Sequence, residues 1–147
     1  LSAHLDRLGI PFVRSPRDSG LIASIQGGLP GRTVALRADM DALPIREENS
    51  LDFCASNGWG HMCGHDSHAA MLLGAAQILK SMEDRLEGTV KLMFQPGEET
   101  GAGARLMVED GILDNPLPSD FMSSPQTLQG RSATPPALIP RLSIHLS

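Results

Sequence analysis

The chain has 147 residues, 41% of them hydrophobic, with 12 Lys and Arg against 17 Asp and Glu for a formal net charge of -5. That is enough apolar sequence for one globular domain, and the scattered basic residues leave no footprint for nucleic acid. No apolar run approaches the roughly 18 residues of a membrane span, and the first residues lack a charged-then-apolar signal pattern. Two cysteines, Cys54 and Cys63, are too few for a disulfide framework. The expectation is a cytoplasmic protein that acts on a small molecule, with no nucleic-acid or membrane partner.

Leu1, Leu5 and Leu8 recur at helical spacing before Gly9, so the chain is predicted to open on the last turns of a helix. Residues 10–13 read as a short strand. Residues 21–25 and 33–38 are β-rich runs separated by Gly27, Gly28, Pro30 and Gly31, which suggests a hairpin-type connection. Residues 67–82 are apolar almost all round, the pattern of a helix covered by other elements and buried against a sheet. Residues 89–94 form another strand, broken by Pro96 and Gly97, and residues 103–110 a helix closed by Gly111. Strand and helix alternate, so the fold class is α/β. After Leu113 the periodicity stops, and six of the eleven prolines fall in a Pro/Ser-rich stretch, 114–147, that is expected to be unstructured.

The densest chemistry lies in His61-Met62-Cys63-Gly64-His65-Asp66-Ser67-His68, three histidines, a thiol and a carboxylate just before the long helix. In an extended segment residues two apart point the same way, so Cys63 and His65 can converge on one ion, with Gly64 allowing the tight backbone. Thiolate and imidazole suit Zn, Mn, Co or Ni, and the helix N-terminus favours the thiolate and an ionised Asp66. The plainer alternative, a buried thiol with capping polar residues, is disfavoured by the number of ligand types. Glu98-Glu99 follows a strand and a Pro-Gly break, where sites gather in open α/β sheets. One carboxylate there can bind metal while its neighbour takes a proton from water. A Glu pair alone would be an ordinary solvated loop edge. Asp39-Met40-Asp41 also follows a strand, and Asp41 can orient a metal-binding imidazole, although two turn-forming aspartates before Pro44 would look the same. Gly101-Ala102-Gly103 lacks the third glycine of a dinucleotide loop, whose place is taken by Leu106.

In order, Arg37-Ala38-Asp39-Met40-Asp41-Ala42-Leu43-Pro44, then His61 to His68, then Gln95-Pro96-Gly97-Glu98-Glu99, the sequence resembles the metallo-amidohydrolases that include hippurate hydrolase, auxin-conjugate hydrolases and N-acetyl-diaminopimelate deacetylase. The likeness runs from about Leu1 to Leu113. It implies the N-terminal part of a zinc-peptidase-like α/β catalytic domain at 1–113, hydrolysing the amide bond of N-acyl amino acids with two divalent ions (Mn, Zn or Ni). By it, Cys63, His65 and Glu99 are metal ligands, Glu98 is the general base, Asp41 and Asp66 are supporting carboxylates, and His68 is adjacent to the site. Full-length relatives are expected to be homodimers through an inserted domain that this chain lacks, together with two further histidine ligands. Gly97 stands where relatives commonly have alanine, and Ser67 where they have glycine; both are small.

The end of the chain departs from the resemblance, and a shifted reading frame from about Asn115 is predicted as its cause. With each codon begun at the third base of the present one, Asp120 to Ser123 can spell Leu-His-Val, Gly130 to Pro136 Val-Gly-His-Ala-Pro-Gly-Pro, and Ser143 to Leu146 Asp-Thr-Phe, all family-like strings. His145 would then be an accident of the shift, and the chain as written an inactive fragment. The competing reading is a non-catalytic metal-binding remnant, and turnover of an acyl amino acid separates the two. A nucleotide-binding module lacks its phosphate loop.

Overall fold

The computed structural model describes residues 1–17, 20–111, 114 and 118–123. Strand β4 (Glu87–Gln95) is buried along its whole length after Glu87, which marks it as central, since only a strand covered on both faces buries every residue. Around it β1 (Phe12–Arg14), β2 (Leu21–Gln26), β3 (Leu29–Asp39) and β5 (Asp120–Ser123) complete a sheet of order β1-β2-β4-β3-β5. The first two pairings, β1 with β2 and β2 with β4, are antiparallel; β3 runs parallel to both β4 and β5. The α/β expectation therefore holds as a mixed sheet with helices.

Helix α2 (His65–Ser81) crosses from β3 to β4, and its Ala69, Leu72 and Ala76 pack with Leu21, Ala23, Ile25, Ala38, Val90, Leu92 and Phe94 in the main core. A fully buried Leu or Phe contributes about 1.5–3 kcal/mol, so this face fixes where α2 begins, and α2 begins at the site. Helix α1 (Ser2–Arg7) adds the fully buried Leu5 and ends through Gly9 at φ 65. Helix α3 (Gly103–Glu109) lies against β4 and buries Met107. Its end is tied to the β1–β2 loop: the Ser15 hydroxyl and the Arg17 guanidinium both donate to Asp110 and hold that carboxyl below its usual range. Among the described residues no helix is long and apolar enough to cross a membrane.

Three sequence expectations are corrected. The strands β2 and β3 do not form a hairpin, because β4 is inserted between them. Gly27, Gly28 and Gly31, expected as part of a hairpin-type connection, are needed for space instead: a Cβ on Gly27 would lie 2.2 Å from the Leu86 carbonyl oxygen, and none of the three has positive φ. Nor is α2 covered all round, since Met71 and Ile78 are more than half exposed; an apolar side chain on a helix does not by itself mean a neighbour. Within the stretch expected to be without structure, Asp120–Ser123 forms the β5 edge next to β3, while 124–147, with His145, lie outside the described residues.

The close approach of the starts of β3 and β4 rests on Gly88. At φ +78 it adopts a conformation that L side chains avoid, and a Cβ there would sit 1.9 Å from the Arg32 carbonyl oxygen. Gly88→Ala is expected to cost roughly 2–4 kcal/mol, from backbone strain plus overpacking. Urea denaturation measures it, and a midpoint equal to that of the unaltered chain would contradict the account.

Candidate metal centre

Asp39 and Gln95 are paired at the ends of the parallel strands β3 and β4, the carboxyl edge at which open α/β sheets place their sites. Two positive-φ glycines return the chain to this edge. Gly64, at φ 79, caps α2 and turns Cys63 onto the helix start, and Gly97, at φ 61, turns the chain after Pro96 so that Glu98 and Glu99 face back. The convergence of Cys63 and His65 thus arises from a left-handed turn into a helix, where an extended segment was expected. The outcome is the same, because His65 is the first residue of α2 and Cys63 sits just outside its cap.

His65 is the centre of the arrangement, 3% exposed. Its Nδ1 lies 3.0 Å from Asp41 Oδ1. A ring nitrogen against a carboxylate carries the proton, which leaves Nε2 with its lone pair outward. That Nε2 stands 3.9 Å from an oxygen of each of Asp39, Glu98 and Glu99, too far for a hydrogen bond. Ligand atoms of Cys63, His65 and Glu99 all lie within 4.8 Å of one another. Glu98 and Glu99, though adjacent in sequence, both reach toward the same ring nitrogen.

Asp41 bridges the two halves of the site. Its Oδ1 meets His65, and its Oδ2 accepts from the Glu99 backbone N–H at 3.2 Å. Partial burial pushes the Asp41 carboxyl up, but the Glu99 N–H, further backbone N–H donors and the His65 ring outweigh it, so the group is held below its ordinary range. The Cys63 thiol is pushed up, first by its hydrogen bond with Glu99, then by desolvation and the charges of Glu99, Glu98 and Asp39.

The donor set fits a divalent cation of borderline softness: one thiol, one imidazole and carboxylate oxygens, with His65 Nε2 beyond hydrogen-bond reach of the carboxylates it faces. The negative field that opposes the free thiolate is the field that attracts such an ion.

Of the other residues singled out, His68 is brought in: its Nδ1 lies 2.6 Å from Asp39 Oδ1 and its ring stacks on that of His65 at 5.8 Å. Asp66 is exposed in the first turn of α2 and belongs to neither ligand cluster. His61 is exposed, with Nδ1 3.2 Å from the Asp41 carbonyl oxygen. The group that sequence reasoning did not assign is Asp39 with Arg37 and Gln95, all buried. The signal was available, since Arg37 and Asp39 are two apart on one strand and so share a face, yet a buried Arg cannot be told from an exposed one by spacing.

Residues 35–136 match the model of peptidase family M20/M25/M40. The chain is 48% identical over 111 residues to N-acetyl-L-cysteine deacetylase of Bacillus subtilis, covering 75% of this chain and 27% of the relative. It is 50% identical over 116 residues to IAA-amino acid hydrolase ILR1-like 6 of Arabidopsis thaliana, covering 78% and 25%. Among solved structures, the Bacillus subtilis YXEP protein, described as a dinuclear metal-binding peptidase of the M20 family, superposes with a TM-score of 0.75 at 40% identity over 83% of this chain and 34% of that one. The chain therefore spans about a quarter of the length of the curated relatives it matches. A mixed sheet carrying a thiol, imidazole and carboxylate cluster at its carboxyl edge, matched by sequence and by fold to the same group of hydrolases, places this chain in peptidase family M20/M25/M40.

Proposed function

We propose that the protein from which this chain comes hydrolyses the amide bond of N-acyl amino acids at a two-metal site, and that the chain supplies Cys63, His65 and Glu99 as ligands and Glu98 as general base. The observation that carries the proposal is the buried His65, fixed by Asp41 on one side and facing the carboxylates of Glu98 and Glu99 at 3.9 Å on the other. Relatives named for the deacetylation of N-acetyl-L-cysteine, for N-acyl-L-amino acid amidohydrolysis and for IAA-amino acid hydrolysis support the substrate class.

A divalent ion such as Mn, Zn or Ni held there supplies Lewis-acid polarisation of the amide carbonyl and makes a nearby water more acidic. Glu98, less buried than His65, takes the proton as the water oxygen attacks the carbonyl carbon. It then returns the proton to the amide nitrogen as the C–N bond breaks, leaving a carboxylic acid and an amine; the acid's proton passes to the amine or to solvent. Asp41 holds His65 in one tautomer throughout, and Glu99 serves as a ligand. A free thiol used as a ligand is best preserved in a reducing compartment, which supports the cytoplasmic reading.

In the same reading, 1–113 is the partial catalytic domain and 114–147 a shifted reading of the coding sequence. Asp120–Ser123, which suitable codons in a shifted frame can turn into Leu-His-Val, occupies β5 beside β3, although the family match itself runs on to residue 136. The nucleotide sequence decides: an intact frame refutes the shift. If the shift is real, the 147-residue chain turns over no acyl amino acid. A version extended to the length of its relatives is expected to release amine from an N-acetyl amino acid, to stop with a chelator and to recover with added Mn or Zn. Turnover undiminished by thorough chelation would refute the metal mechanism. Metal binding without any turnover in the extended chain would favour the non-catalytic remnant, and subunit exchange would test the expected homodimer.

A further inference from the structure

Behind the ligand cluster lies a second carboxylate and imidazole pair built like the first. Asp41 holds His65 through Nδ1 at 3.0 Å, and Asp39 holds His68 through Nδ1 at 2.6 Å, with the two rings stacked 5.8 Å apart and 25° from parallel. Asp39 is 1% exposed and is clamped from the other side: Arg37 donates from Nη1 to Asp39 Oδ2 at 3.0 Å and from Nε to Gln95 Oε1 at 2.9 Å. Ligand atoms of Asp39, His65 and His68 lie within 4.8 Å of one another, a spacing that a cation could bridge. The guanidinium argues against that use, because it already neutralises the carboxylate, and a dication beside it would face a fixed positive charge.

We propose that Asp39, locked by Arg37 and Gln95, is a positioning residue that fixes His68 as the Nδ1–H tautomer and so presents His68 Nε2 to the site as a hydrogen-bond acceptor. A neutral imidazole has one donor and one acceptor nitrogen, and the partner of one decides the role of the other. Isolated histidine side chains prefer the proton on Nε2; a buried carboxylate at Nδ1 reverses that preference through a charge-assisted bond. The Nδ1 edge of His68 is covered by Asp39 while the side chain keeps 19% exposure, so the ring is not sealed off and its other nitrogen is the one left to meet a ligand. On the reading that the substrate is an N-acyl amino acid, its amide N–H is the donor such an acceptor would receive.

The test does not depend on turnover. Long-range proton–nitrogen correlation spectra of the full chain, labelled on its histidines, distinguish the tautomers at about pH 9, well above the ordinary histidine range near 6.5. His68→Gln identifies the His68 signals among the five histidines. The expected result is a protonated Nδ1 and an unprotonated Nε2 at His68, with the Nδ1 proton far downfield. Asp39→Leu should return the ring to the Nε2–H form. Asp39→Asn, which keeps a neutral acceptor, should move the Nδ1 proton upfield. If Asp39→Leu fails to fold, the unaltered chain and Asp39→Asn still decide. An Nε2–H or doubly protonated His68 in the unaltered chain, or spectra unchanged by both Asp39 variants, would overturn the proposal while leaving the hydrolase reading untouched.

Discussion

The chain carrying His65→Ala is expected to lose divalent-ion affinity by more than roughly 100-fold, beyond the 10- to 100-fold that loss of a supporting partner costs. His65 is the only imidazole within the Cys63 and Glu99 cluster, and it is pre-aligned: the Asp41 bond at 3.0 Å fixes the ring and its burial restricts other orientations. Alanine removes the nitrogen and leaves Asp41 with the Glu99 backbone N–H at 3.2 Å as a remaining donor, so the loop geometry should survive while the ligand does not. Cys63→Ala removes the soft ligand and should weaken Zn more than Mn, because thiolate favours the softer ion. Calorimetric titration of each variant with Zn and with Mn measures both effects. Binding stoichiometry and affinity equal to those of the unaltered chain would sink the ligand assignment for that residue.

Much of the layout was legible because it is local. The Gly9 and Gly111 stops, the start of α2 near Ser67 and the strand 89–94 each follow from a few adjacent residues, and the structure places them within two residues of the expected bounds. The pairing of strands was not legible. Gly27, Gly28 and Gly31 look like turn residues in sequence, but their small size serves the passage of residues 84–88, nearly sixty positions away, and no local pattern encodes that distance. The site divides the same way. Cys63, His65, Glu98 and Glu99 announce themselves by residue type at strand and helix ends, whereas the Arg37, Asp39 and Gln95 network depends on a parallel register between β3 and β4 that sets Asp39 beside Gln95. Asp66 shows the opposite failure: its motif neighbours are in the site, but its place on α2 turns it to solvent.

Glu98→Gln and Glu99→Gln should separate proton transfer from metal binding, although the two residues are adjacent and both stand 3.9 Å from His65 Nε2. Geometry distinguishes them. Glu99 shares the three-residue ligand cluster with Cys63 and His65, and its backbone N–H is anchored on Asp41, which fixes its base as a ligand requires. Glu98 is outside that cluster, yet close enough to face the same space. In a version extended to the length of its relatives, Glu98→Gln is expected to keep its metal content and lose roughly 100- to 10,000-fold in turnover, the usual range for removing a general base. The amide is isosteric and still accepts a hydrogen bond, but it cannot take the water's proton. Glu99→Gln should instead weaken metal binding, with turnover partly recovered at high metal concentration, because a carboxamide is a neutral and poorer ligand for a dication. Metal analysis after dialysis and initial rates on an N-acetyl amino acid over a metal series read both properties in the same preparations. Interchanged phenotypes, with Glu98→Gln rescued by metal and Glu99→Gln inert at any concentration, would reverse the assignment of base and ligand.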